Sequence, residues 1–65
     1  MPHKKKAGFC VSLFAHGGAV RQIQETDDIV QMKKKLQNES ETYYVVCDVD
    51  KKTAIKKYND LVKKK

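Results

Sequence analysis

Glu41-Thr42-Tyr43-Tyr44-Val45-Val46-Cys47-Asp48-Val49-Asp50 is the stretch on which the fold turns. Between Tyr43 and Val49 only Cys47 and Asp48 are neither β-branched nor aromatic, and no proline or glycine interrupts the run. It is too apolar for a strand with one face in water, and too short and β-branched for a helix. The pattern therefore predicts an interior strand. Alternation sends Tyr43, Val45, Cys47 and Val49 to one face and Tyr44, Val46 and Asp48 to the other.

Upstream, Gly8 to Ala15 also alternates, with Phe9, Val11 and Leu13 on one side and Cys10, Ser12 and Phe14 on the other. That reads as a strand, and His16-Gly17-Gly18 as the turn that follows it. Ala19 to Gln24 returns as a second strand. A three-residue loop sets Val11 opposite Ile23, whereas a two-residue Gly-Gly turn would set Val11 and Leu13 beside glutamines. The apolar match selects the longer loop.

Two helices complete the pattern. Thr26-Asp27-Asp28 supplies capping oxygens and acidic charge at a helix start. Ile29, Met32 and Leu36, with Val30 alongside, form its apolar stripe, and Lys33-Lys34-Lys35 gives the favourable charge at its end. After the organising strand, Asp50 or Thr53 caps a second helix on which Ala54, Ile55, Tyr58, Leu61 and Val62 recur at helical spacing.

The order β-β-α-β-α in 65 residues makes one small α+β domain, with residues 1–6 read as a flexible basic arm. A right-handed crossover places the third strand beside the first, giving strand order 2-1-3. The expected architecture is a two-layer sandwich with both helices on one face of a three-stranded sheet. By the alternation above, the other face displays Cys10, Ser12, Phe14, Val20, Tyr44 and Val46. Such a patch is rarely left bare, so Phe14, Val20, Tyr44 and Val46 are the expected partner-binding residues.

Composition narrows the function. A chain this short buries only about 60% of its unfolded surface, so a second copy would complete the core and a homodimer is expected. The chain carries 14 Lys+Arg against 8 Asp+Glu, a net charge of +6, and Arg21 is its one arginine. Clustered positive charge attracts polyanions. Lys33, Lys34, Lys35, Lys52 and Lys56 are therefore the expected contacts if the chain binds nucleic acid through phosphates. Bidentate phosphate and base readers are usually arginines, however, and the lysines read more readily as a solvated face.

No catalytic constellation emerges. Asp48-Val49-Asp50 puts two carboxylates on one side of a strand end, but no third ligand is spaced to join them and Asp50 has a capping role. His16-Gly17-Gly18 is turn chemistry, without a nucleophile elbow to accompany it. Cys10 and Cys47 lie in no Cys-x-x-Cys motif, and on opposite faces of one sheet they are expected to stay unbonded. Lys4-Lys5-Lys6 followed by Ala7 to Ala15 imitates a signal peptide, but Ser12, His16 and the glycine pair break its apolar region. The expectation is a cytoplasmic, non-enzymatic interaction module that needs no cofactor and does not enter membranes. It would act as a regulator or inhibitor, pairing through the uncovered sheet face or an edge strand. The alternative is a sequence-blind nucleic-acid-binding protein.

Overall fold

In a computed structural model of the chain, which describes residues 5–64, the elements are β1 (Gly8–Phe14), β2 (Val20–Thr26), α1 (Ile29–Gln37), β3 (Thr42–Asp48) and α2 (Lys51–Lys63). The strands form one antiparallel sheet in the order β2-β1-β3. Element order, strand order and α+β class are those expected from the sequence. Val11 lies opposite Ile23, so apolar pairing did select the hairpin register. Pairing stops at Phe14 and Val20, and Gly17 and Gly18 take positive φ of 72° and 138° in the loop between them.

The helices start where the side-chain oxygens stand. The Gln31 N–H donates to Asp28 Oδ1 at 3.2 Å, and both the N–H and the hydroxyl of Thr53 donate to Asp50 Oδ2, at 3.3 and 2.9 Å. Each aspartate thus satisfies donors that the first helical turn leaves unpaired. Between the two candidates for the second cap, Asp50 is the one in place.

Layering is where the structure departs from expectation. Cys10, Val11 and Ser12 are consecutive strand residues, yet they are 0%, 0% and 1% exposed. Neighbours in a strand point to opposite faces, so both faces of β1 are covered. Val11 packs against Ala54 and Tyr58 of α2, with Leu13, Tyr44, Val46 and Ile55 around them. On the other side, a Cβ at Gly8 would run into Ile29 Cγ2 of α1 at 2.8 Å. Gly8 shares its face with Cys10 and Ser12, so α1 lies over that face, where Leu36 is buried. The helices divide the sheet between them, in place of sharing one face.

That arrangement suits so short a chain, since one central strand gains shelter on both sides. It also corrects the expected uncovered face. Cys10 and Ser12 are beneath α1, while Tyr44 and Val46 are half-buried on the α2 side. A β-bulge helps to place them: Val11 faces Val46 but Leu13 faces Tyr43, so β3 spends one residue more than β1 over that interval. Tyr44 absorbs the difference at a φ of 55°. Val45, expected on the single face that both helices would cover, shares the Cys47 side and is half-buried there.

Of the expected basic arm, residues 1–4 lie outside the described residues. Lys6 is tied in through its carbonyl, which accepts the Ile29 N–H at 2.9 Å.

Candidate interaction surface

The surface is set by what the helices leave uncovered. Both pack on β1 and β3, and β2 stands outside them at the sheet edge. Its residues facing α1's side, Gln22, Gln24 and Thr26, are half-buried, while Arg21, Ile23 and Glu25 on α2's side are exposed. Ile23 is 36% exposed although its cross-strand neighbour Val11 is fully buried. The reason is geometric: α2 covers the two strands to one side and does not reach the third.

Of the four expected partner-binding residues, the structure brings two together. Phe14 and Val20 are directly paired at the hairpin end, with Val20 56% exposed and Phe14 half-buried. The Phe14 ring lies 5.9 Å from that of His16, whose Nδ1 sits 2.9 Å from the Glu41 carboxylate. This contact, with the Ala15 N–H donating to the Glu41 carbonyl at 2.9 Å, ties the loop to the start of β3. Tyr44 and Val46 belong to the other face and to the α2 core.

The lysines expected for nucleic acid are all exposed, but they do not form one patch. Lys33, Lys34 and Lys35 ride on α1, and Lys52 and Lys56 on α2, so the sheet separates the two groups. Asp48 is engaged structurally. Its Oδ2 accepts Lys57 Nζ at 2.8 Å and its Oδ1 accepts the Asp50 N–H at 3.3 Å. The Lys57 hydrogen bond, then that backbone N–H, hold the Asp48 carboxyl below the ordinary aspartate range. Among the described residues no three His, Cys, Asp or Glu side chains gather where a metal could be held. A shallow cleft of about 220 Å³ lies beside the start of α1, between Asp27, Gln31 and Lys35.

The cysteines overturn their expectation. Cys10 and Cys47 are cross-strand partners joined by a disulfide with Cα atoms 4.0 Å apart. The expected opposite-face placement assumed a phase between β1 and β3 that a helical crossover leaves free. One residue of shift puts both sulfurs on the same side. Beside them the Ser12 hydroxyl is buried with no hydrogen-bond partner among the described residues.

The sequence pattern does not single out Arg21, Ile23 and Glu25. All three strands lack lysine, so its absence from β2 does not set these residues apart; what does is the pair of opposite charges flanking Ile23. No family model, no curated protein and no solved structure matches the chain.

Proposed function

We propose that the protein is a small non-enzymatic interaction module, a regulator or inhibitor, whose working surface is the β2 edge. One observation carries this reading: β2 is a seven-residue edge strand with no lysine, proline or bulge to keep it from pairing, and its two charges, Arg21 and Glu25, are of opposite sign. Lysine, proline and bulges are the usual protections. The opposite edge, β3, has a bulge at Tyr44, whereas β2 pairs with β1 residue for residue from Val20 to Thr26. An unprotected edge accepts an extended polypeptide strand through main-chain hydrogen bonds, and the alternate side chains set specificity. Val20 and Ile23 give that strand apolar contacts, and Phe14 borders it at the hairpin end.

The lysines contribute solubility on this reading. Their division between two helix layers on opposite faces speaks against a single phosphate-binding surface. No helix among the described residues is long and apolar enough to cross a membrane. The cytoplasmic location expected from the sequence followed from the broken apolar region after Lys4-Lys5-Lys6, and would keep both cysteines reduced. With Cys10 bonded to Cys47, an oxidising compartment suits the chain better.

Site-specific photo-crosslinking in cells that produce the chain tests the reading. A photoreactive side chain at position 21 should yield polypeptide adducts, and one at position 34 on α1 should not. Adducts dominated by nucleic acid at position 34, with none at position 21, would replace the edge-strand reading by the phosphate-binding one.

A further inference from the structure

We propose that the strand accepted by β2 is the β2 of a second copy, antiparallel about a two-fold axis through Ile23, so that two chains share one continuous six-stranded sheet. The inference rests on the reading of β2 as the interaction surface and names its occupant.

The free backbone groups come first. In an antiparallel pair, close Cα spacing marks positions that do not exchange hydrogen bonds. Cys10 and Cys47 are 4.0 Å apart, so the Cys10 N–H and C=O turn away from β3 and toward β2. Cys10 and Ser12 therefore bond Gln24 and Gln22, their partners on β2. The intervening residues Arg21, Ile23 and Glu25 aim their N–H and C=O groups outward. Outward groups at alternate positions are what a further antiparallel strand requires.

The side chains then select the register. Only odd-numbered residues of β2 offer outward groups, so odd must face odd. Centring the axis on Arg21 sets arginine against arginine, and centring it on Glu25 sets glutamate against glutamate. Centring it on Gln22 or Gln24 puts Ile23 opposite a charge. Centring it on Ile23 pairs Ile23 with Ile23, Arg21 with Glu25 twice, Gln22 with Gln24, and Val20 with Thr26. Directly opposed unlike charges and apolar pairs stabilise a sheet, and like charges destabilise it. The sequence of β2 is thus complementary to itself about its own centre, as a two-fold interface demands.

Among the described residues no helix obstructs the approach. Both helices sit over β1 and β3, so each stands about a strand's width back from the axis. Neither Arg21 nor Glu25 is in an ion pair within the chain among the described residues. About six interchain hydrogen bonds would form, with Ile23 of each copy meeting at the axis. The contact is small, so the dissociation constant belongs in the micromolar range.

Sedimentation of the full, disulfide-intact chain from about 1 to about 500 µM tests the proposal. The expected result is a monomer–dimer equilibrium. Arg21→Glu or Glu25→Arg alone turns both attractive pairs repulsive and should weaken it about tenfold or more. The double exchange, Arg21→Glu with Glu25→Arg, restores complementarity and should return the constant to within about threefold of the original. Ile23→Pro removes only an outward N–H and should yield monomers with an unchanged circular dichroism spectrum. Should that variant misfold, the charge exchanges at exposed positions carry the test. A monomer at every concentration overturns self-pairing; adducts at position 21 that contain a different polypeptide would leave the edge-strand reading standing. A dimer indifferent to Arg21→Glu, Glu25→Arg and Ile23→Pro alike pairs through another surface and overturns the proposal.

Discussion

At the scale of single residues, the disulfide decides most. Cys10 is fully buried on the central strand and is bonded to Cys47 across a sequence separation of 37. A cross-link of that span removes loop-closure freedom from the unfolded chain, worth about 3–4 kcal/mol on the chain-entropy account. For a 65-residue domain this is a large share of the stability available. Replacing both cysteines by alanine should therefore lower the unfolding free energy in urea by about 3–4 kcal/mol. Reductant should shift the parent's midpoint toward that of the double variant and leave the variant unmoved. Non-reducing mass spectrometry should find the parent two hydrogens lighter than its reduced form. A parent indifferent to reductant, with full thiol mass, would remove the cross-link from the fold. The sequence shows two cysteines in two strands; which faces they take depends on a phase between strands that no local pattern carries.

At the scale of elements, the central finding is that α1 and α2 hold opposite faces of β1, and Gly8 is the residue that reports it. A Cβ at Gly8 would meet the Asp48 carbonyl oxygen, Ile29 Cγ2 and Val49 Cα. Backbone and a β-branched side chain cannot swing aside as the end of a lysine can, so Gly8→Ala should cost about 1–3 kcal/mol through overpacking. Ile29→Ala removes one of the obstructing groups. The double variant should then be less damaged than the sum of the two single ones, by about 0.5 kcal/mol or more in urea melts. Strict additivity would mean that α1 does not lie over the Gly8 face. Elements themselves were legible. Strand alternation, the Gly17-Gly18 turn, the Asp50 cap and the apolar stripes are local patterns, and each has its physical counterpart in the structure. Even the hairpin register was legible, because Val11 has one apolar partner within reach of the turn. The bulge at Tyr44 was not, since tyrosine carries no preference for positive φ and its conformation there is set by the tertiary structure. With it went the faces of Tyr44, Val46 and Cys47.

At the scale of the whole molecule, charge and layering act together. The chain's positive balance is a property of its composition, but where that charge acts depends on which face each helix covers. That placement was illegible in the sequence: both helices are amphipathic with lysine outward, and either face of a bare sheet would receive them equally. Because α1 and α2 turn outward in opposite directions, a rigid duplex can lie against Lys33, Lys34 and Lys35 or against Lys52 and Lys56, but not against both sets. A duplex backbone should therefore meet about three or four lysines at once, and the logarithm of the binding constant should fall with the logarithm of salt at a slope of about −3. Such binding would be sequence-blind, since lysine contacts to phosphate fix position without reading bases. Fluorescence anisotropy with two unrelated duplexes between about 20 and 200 mM salt checks this. The Arg21→Glu variant is the appropriate sample, because a dimer would set two α1 layers side by side on one face and deepen the slope. A slope beyond about −6 in that variant, or a marked preference between the duplexes, would require the two lysine groups to act as one surface. The separation of the helices across the sheet would then have to be abandoned, and with it the assignment of β2 as the working edge.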